Sequence, residues 1–439
     1  MSSPSTHNSH SFSVMRLDDS SLKVVVSQGD CASLARAHLR MKNAAEVLQW
    51  SVESAGGTKP FGFLDDYCRL VIVVKGEGLE NGDNTVKLSF FVKTLPRYNE
   101  NRLRQIHQHG VFRKETMMYY LLLPMLKGDN GPTAWRPKCF LVRNDIVVLQ
   151  DLSMYNFRHS YPKFSLDLDH VKVALTALAR MHASCIIYEK KKNCCMGRVY
   201  KDLMFETMAN NNQWWRTGED TALAIAEESE KFGKYTEYHS MVQEKLIDFL
   251  RLAWSMVKPS RIYKNVVCHR DTRNHNLMFK YNSTGLPEQC ILVDFQRCTY
   301  NPPALDFNHL LYQTTSRSFR DQHYQELKRF YRAAFVENIT KENLDVNDII
   351  PEQEFDDSTD DLRLCAKILA VMTLPLTQMP PEILAVLSHD SEEFDRTVNG
   401  MRKQTVLDLM ENNENYRTSL IEAMDELLEE LLEVPKNKK

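Results

Sequence analysis

Residues His269–Arg270–Asp271–Thr272–Arg273–Asn274–His275–Asn276 have the spacing H-x-D-x-x-x-x-N, and one hairpin later a second acid stands in Val293–Asp294–Phe295–Gln296. Phosphoryl transfer from ATP needs this set of groups. One carboxylate, Asp271, orients an acceptor hydroxyl and takes its proton. An amide oxygen and a further carboxylate, Asn276 and Asp294, hold Mg²⁺ against the phosphates. Hard cations take oxygen ligands, so these two residue types suit that role and His or Cys would not.

The letters between the two motifs predict the element that positions them. Leu277–Met278–Phe279–Lys280–Tyr281 reads as a short strand, and Asn282–Ser283–Thr284–Gly285–Leu286–Pro287 as a turn. Cys290–Ile291–Leu292–Val293 reads as the return strand. Two antiparallel strands of similar length bring the start of the first beside the end of the second. Asn276 and Asp294 are therefore expected side by side, within reach of one ion.

At 439 residues the chain is long for one domain, and two lobes are expected. Hydrophobic content of 43% and charged content of 26% are ordinary for a globular protein. The net charge of −3 gives no electrostatic case for nucleic acid or an anionic membrane surface as partner. No run of apolar residues is long enough for an obvious transmembrane helix. Residues 1–13, rich in Ser and His, lack a signal-peptide layout and read as a disordered tail. The ten cysteines form no C-x-x-C pair and no zinc spacing, which fits free thiols in a reducing cytosol. A Cys268–His269 nucleophile pair is disfavoured, because sequence neighbours rarely point at each other and no orienting partner is visible.

Along the chain, residues 30–50 have helix-forming composition, with Asp30 as the expected N-cap. A β-rich block follows: a Gly-punctuated turn over 54–63, strands over 69–75 and 86–94, and a polar hairpin loop over 76–84 between them. Alternation in the second strand puts Val86, Leu88, Phe90 and Val92 on one face and Lys93 on the other. Residues 112–123 have helical period, with Glu115, Met118 and Tyr119 on one side. Strands are expected over 140–143 and 146–149. Beyond residue 150 the pattern turns helical: over 168–184, where Val171, Leu175, Leu178 and His182 form a core stripe, then within 220–257, 319–337, 362–371 and 382–387. The last helix, over 414–434, carries Leu420, Met424, Leu427 and Leu431 on one stripe. It is too short for a coiled coil and is expected to dock on the chain's own helices. His182 is expected to be a satisfied core histidine; Trp214 and Trp215 are candidates for lining a pocket for a flat polycyclic molecule, with buried packing the favoured role.

A small β-rich part, a hinge near residue 150 and a helical remainder resemble the two-lobed protein-kinase-like fold, an α+β architecture. The segments Phe91–Val92–Lys93–Thr94–Leu95–Pro96, Phe112–Arg113–Lys114–Glu115, Val148–Leu149–Gln150–Asp151–Leu152–Ser153, Leu178–Ala179–Arg180–Met181–His182–Ala183, and the two catalytic segments resemble the ecdysteroid-kinase-like family, related to choline and aminoglycoside kinases. The resemblance covers residues 50–381. It implies a tail over 1–24, an ATP-binding lobe over 25–150, a second lobe over 151–435 with the catalytic loop, metal site and acceptor pocket, and a short tail over 436–439.

Residue by residue, the resemblance implies Asp271 as the base and His269 as the leading residue of the motif, buttressing the loop. Lys93 matches the strand lysine that contacts ATP phosphates, and Glu115 the helix glutamate that holds it. Gly56, Gly57 and Gly62 are the candidates for the phosphate-covering loop, although G-x-G-x-x-G is absent and Asp65 stands where a further Gly is expected. Gln150 and Leu152 sit where a hinge offers backbone groups to adenine. Asp306 resembles an acid that fastens the catalytic loop. Arg270 replaces the Gly common in relatives.

ATP and Mg²⁺ are the implied cofactors. The stretch after Asp294 is too short for a protein-kinase activation segment and no A-P-E follows, so a small hydroxylated acceptor is expected. The family implies an ecdysteroid, a sterol or a hydroxylated xenobiotic as acceptor; a cytoplasmic location is expected from the free thiols, and a monomer is expected. No Walker A sequence is present. Two other classes remain: a nucleotide-binding pseudokinase without turnover, and an adaptor that uses the acidic C-terminal helix.

Overall fold

Residues 26–41, 45–54, 66–75, 85–96, 99–160 and 165–433 are described here from a computed structural model of the chain. The chain enters at helix α1 (Gln28–Leu39), closed by a capping box: the Asp30 amide donates to the Ser27 hydroxyl, and the Asp30 carboxylate accepts from the Ser27 amide. Asp30 is thus the third helical residue, and Ser27 is the cap. The helix expected over residues 30–50 ends at Leu39, and Glu46–Ser54 is strand β1. A bulge between Val47 and Gln49 shifts the alternation, so that Val47, Trp50 and Val52 all pack inward. That irregular spacing imitates a helical stripe when read as letters.

Strands β2 (Asp66–Lys75), β3 (Thr85–Thr94), β4 (Cys139–Arg143) and β5 (Ile146–Gln150) complete an antiparallel sheet of order β1-β2-β3-β5-β4. Leu70, Ile72, Leu88, Phe90, Val92 and Val148 pack with Leu34 and Ala35 of α1 on one face. The period of two along a strand then turns Tyr67, Phe91, Lys93 and Leu149 to the other. Helix α2 (Glu100–His109), polar enough to escape the sequence pattern, leads into α3 (Val111–Met117). A π-helical turn at Met118–Leu122 continues α3 and keeps Glu115, Met118 and Tyr119 buried together, as expected.

Beyond β5 the chain is mainly helical. A two-residue strand β6 (Phe157–Arg158) precedes α4 (Leu168–Lys192), which is long and apolar enough to cross a membrane. It is the central core helix instead, with 61% of its apolar window buried, and α8 (Arg317–Thr340) lies along it. Around these stand α5 (Gln213–Glu227), α6 (His239–Arg251), α7 (Pro303–Thr314), α9 (Glu352–Asp361), α10 (Arg363–Thr377), α11 (Pro381–His389), α12 (Ser391–Asp395), α13 (Arg402–Asn412) and α14 (Glu414–Leu431). Leu420, Met424 and Leu427 of α14 are buried against α10 and α5, and its Glu429 pairs with Arg317, so the acidic helix docks on its own chain.

Two short ladders carry the catalytic segments. Strands β7 (Val266–Cys268) and β10 (Thr299–Asn301) pair with Cys268 opposite Thr299. Strands β8 (Leu277–Tyr281) and β9 (Pro287–Leu292) pair with Leu277 opposite Leu292. Segments 269–276 and 293–298 therefore run side by side, pinned at both ends. Gly285, at φ +84°, makes the turn of the second hairpin, and the Asn282 side chain accepts the amides of Thr284 and Leu286.

Gly56, Gly57 and Gly62 lie outside the described residues, as do Asp65, the loop over 76–84 and both terminal tails.

Candidate active site

Asp306, fully buried on α7, anchors the start of the loop. Its two oxygens accept the backbone amides of His269 at 2.5 Å and Arg270 at 2.9 Å. His182 from α4 lies 3.1 Å from the same carboxylate, with its other ring nitrogen 2.7 Å from the Tyr331 hydroxyl. Burial alone would raise the Asp306 pKa, but these partners hold it down at about 2. Asp306 thus fastens the loop, as the resemblance implies, and His182 is a satisfied core histidine that supports it.

His269 is engaged at both ring nitrogens. Nε2 lies 3.0 Å from the Val293 carbonyl and Nδ1 faces the Asp271 amide at 3.3 Å, which assigns the neutral tautomer protonated at Nε2. Burial lowers its pKa, so it stays neutral. With its ring tilted on Phe295 at 4.9 Å, His269 ties the two segments together and is no free base.

Arg270 adopts φ +67°, a region where a side chain is strained and Gly is not. This backbone shape explains why a Gly is expected here. The guanidinium is buried and paired with Glu206 at 3.2 Å, and Glu206 in turn accepts the amides of Thr207, Met208 and Ala209.

Asp271 faces two guanidinium groups, Arg297 at 3.3 Å and Arg273 at 3.5 Å. Burial pushes its pKa up, but Arg273 and Arg297 more than offset this and hold it at about 2. Asn276 donates its side-chain amide to the Asp271 carbonyl at 2.8 Å, which leaves its amide oxygen as the remaining acceptor. The Val293 amide reaches the Asn276 carbonyl at 3.1 Å, so Asn276 and Asp294 stand side by side as the hairpin predicts.

Asp294, at φ +70°, accepts Lys93 Nζ at 2.9 Å on one oxygen and the Gln296 amide at 3.0 Å on the other. Lys93 also forms a buried ion pair with Glu115, whose second oxygen takes the Phe295 amide at 3.1 Å. Glu115 therefore fixes both the lysine and the turn that carries Asp294. A carboxylate and an amide oxygen on one wall are donors of the kind a divalent hard cation takes, so these residues fit Mg²⁺.

Two cavities meet at this constellation. The first, of about 160 Å³, is lined by Tyr67, Phe91, Lys93, Gln150, Leu152 and Met278, with Asn276 and Asp294 at its end. The second, of about 80 Å³, is lined by Trp214, Thr207, Gln296, Arg297 and Asp271. Arg273, Leu376 and Thr377 border both. Trp215 is packed as expected, whereas Trp214 forms a wall of the second cavity.

Arg273, Arg297, Glu206 and Asp151 were not singled out from the letters. Asp151 follows Gln150 and accepts from Ser89, Arg69 and Ser153, so it fixes the shape of the segment between sheet and helices. Arg273 stands inside the catalytic motif and was open to notice. The others are paired by contacts that no local pattern announces.

A sequence model of the ecdysteroid kinase-like family matches residues 64–344. No curated protein matches the sequence. Similar solved structures include a microcompartment-associated aminopropanol kinase, at 13% identity and TM-score 0.41, covering 91% of this chain and 98% of that one. An ethanolamine kinase from Plasmodium vivax has 12% identity and TM-score 0.33, with 84% of each chain covered. A choline/ethanolamine kinase family protein from Mesorhizobium loti has 15% identity and TM-score 0.33, covering 89% and 99%. Superpositions this loose carry nothing further. The family match spans most of the chain and includes Lys93, Glu115, Asp271, Asn276 and Asp294: the chain belongs to the ecdysteroid kinase-like family and is a small-molecule kinase.

Proposed function

We propose that the protein transfers the γ-phosphoryl group of ATP to a hydroxyl of an ecdysteroid, a sterol or a hydroxylated xenobiotic. The observation that carries this reading is the meeting of Lys93, Asn276 and Asp294 at the end of one cavity, with Asp271 on the wall of the next. ATP enters the first cavity with its adenine toward Gln150 and Leu152 and its phosphates toward Lys93. Asn276 and Asp294 would hold Mg²⁺, which would neutralise phosphate charge there. The acceptor enters the second cavity and presents its hydroxyl to Asp271.

Asp271 orients that hydroxyl. As the acceptor oxygen bonds to the γ-phosphorus, the bond to the β–γ bridging oxygen breaks and ADP leaves with the electron pair. The proton passes to the Asp271 carboxylate and on to solvent. A carboxylate held at about 2 is a weak base, which suits a transfer whose proton leaves late. Its main contribution is alignment. Lys93 supplies a fixed positive charge in a largely desolvated cleft, where it counts for more than in water.

The test is transfer of radiolabelled γ-phosphate from Mg·ATP to a panel of hydroxylated steroids and plant metabolites. The wild type is expected to label at least one of them, and Asp294→Asn none. Binding of ATP without hydrolysis or transfer would instead establish a pseudokinase.

A further inference from the structure

A phosphoryl group moving from the nucleotide cavity to the acceptor cavity passes the walls that the two share. Among the described residues these are Arg273, Leu376 and Thr377, and of the three only Arg273 carries charge. It stands two positions after Asp271, on the loop held between β7 and β8. Its place is therefore fixed by the same segment that carries Asp271 and Asn276.

The cations around the site are not partnered alike. Arg270 pairs with Glu206 at 3.2 Å, and Arg297 meets Asp271 at 3.3 Å with the charge of Glu206 also near it. Lys93 sits between Glu115 and Asp294. Arg273 has Asp271 alone, through Nε at 3.5 Å, and the oxygen it meets is the Oδ1 that Arg297 also uses. Nε is enclosed by protein. The terminal nitrogens, on a side chain that keeps 17% of its surface exposed, make no hydrogen bond among the described residues. With both arginines gathered on Oδ1, the Oδ2 oxygen of Asp271 is left to face an acceptor hydroxyl.

We infer that Arg273 is a catalytic residue, whose terminal N–H groups donate to the oxygens of the γ-phosphoryl group as it passes from ADP to the acceptor. This rests on the phosphotransferase reading and deepens it. The transferring group spreads its charge over three equatorial oxygens. A planar guanidinium presents two parallel donors to such oxygens, whereas an ammonium acts as a point charge. Lys93 holds the nucleotide end, so Arg273 supplies positive charge where the group arrives. An interaction that strengthens along this path lowers the barrier instead of merely tightening ATP. Arg273 exchanges no proton. The acceptor oxygen bonds to phosphorus, the bond to the β–γ bridging oxygen breaks with its electron pair going to ADP, and the hydroxyl proton goes to Asp271.

The experiment needs no identified acceptor. Full-length wild type, Arg273→Met and Arg273→Lys are titrated by calorimetry with Mg·ADP, with a non-hydrolysable ATP analogue, and with Mg·ADP plus aluminium fluoride, a planar mimic of the transferring group. The wild type is expected to bind ADP at least about a hundredfold more tightly with fluoride than without, the low end for transition-state mimics. Arg273→Met is expected to lose most of that gain while holding ADP and the analogue as the wild type does. Arg273→Lys is expected to keep part of it. The gain is the readout because a merely structural loss weakens all three ligands alike. Asp271→Asn is expected to retain part of the gain and the double variant with Arg273→Met to lose it, which excludes a role exerted only through Asp271. Thermal unfolding shows that each variant is folded, and Arg273→Lys carries the comparison should Arg273→Met not fold. An undiminished gain in Arg273→Met, an equal loss of ADP affinity with and without fluoride, or a wild type that gains nothing from fluoride overturns the inference. Failure of the wild type to bind either nucleotide overturns the phosphotransferase reading itself.

Discussion

Lys93 and Asp294 meet at 2.9 Å although 201 positions separate them in the chain. The same ammonium pairs with Glu115, so one cation sits between two carboxylates in a nearly dry place. Deleting it leaves Glu115 buried without its counter-charge, a change that typically costs about 3–5 kcal/mol. Lys93→Met is therefore expected to lose ATP affinity and stability together. Glu115→Gln keeps a hydrogen-bonding group for the Phe295 amide and should lose less stability. Urea unfolding and calorimetric ATP titration of the two variants check the order.

Asp271→Asn is expected to lower kcat roughly 10²–10⁴-fold, the usual contribution of a positioned acid–base group, with ATP affinity little changed. Asp294→Asn should abolish turnover at any Mg²⁺ concentration. The pH dependence separates alignment from strong base catalysis. Because Arg273 and Arg297 hold Asp271 near 2, below its unfolded value, it is ionised throughout the neutral range. Its stabilising effect is full above the unfolded pKa and is lost as pH falls from about 4 toward 2. The kcat/KM profile should show no acidic limb from this group between about pH 5 and 9. A limb centred near neutrality that disappears in Asp271→Asn would contradict this.

The catalytic hairpin was legible because its information is local: strand, turn and return strand are contiguous, and their pairing alone puts Asn276 beside Asp294. Lys93 could be placed on the face opposite Leu88 and Phe90 by alternation, but only the family resemblance linked it to Glu115. Residues 46–50 of β1 read as the end of a helix because the bulge after Val47 breaks the period of two. Helix α2 was missed because its stripe is polar, with Arg102 and Gln105 among its buried residues. The arginines around Asp271 could not be read at all as a group. Their arrangement depends on where β10 returns beside β7, a long-range fact that no window of sequence contains.

Arg270 sits at φ +67°, where an ordinary side chain costs roughly 1–2 kcal/mol and glycine almost nothing. On backbone grounds Arg270→Gly should stabilise. It also breaks the ion pair with Glu206 and removes a fully buried guanidinium, and breaking a buried pair by removing one partner typically costs about 3–5 kcal/mol. The second effect is larger, so Arg270→Gly is expected to be destabilised by a few kcal/mol. Adding Glu206→Gln should recover part of the loss, since the carboxylate that lost its guanidinium then keeps only three backbone amides and Arg297. A double-mutant cycle by chemical denaturation measures the coupling, and an additive result would show that the pair is not what keeps arginine here.

The nucleotide cavity is closed partly from the helical side. Leu384 of α11 lines it together with Leu376 and Thr377, and the segment that follows is tied to α2 beside the sheet. The Asn101 backbone amide donates to the Ser391 hydroxyl at 3.1 Å, and its side chain donates to the Ser391 carbonyl at 2.9 Å. Asn99 adds a bond to the Leu387 carbonyl at 3.5 Å. These bonds tie α2 to α11 and α12 on the helical side of the cavity, and loosening them is expected to speed nucleotide exchange. A neutral hydrogen bond contributes about 0.5–1.5 kcal/mol net. Asn101→Ala, which removes only the side-chain bond, should therefore raise the ADP release rate roughly two- to tenfold. The phosphoryl-transfer step, set by Asp271 and Lys93, should change much less. Stopped-flow displacement of a fluorescent ADP analogue, beside single-turnover transfer, separates the two. An unchanged release rate would mean the Asn101 side chain plays no part in nucleotide exchange.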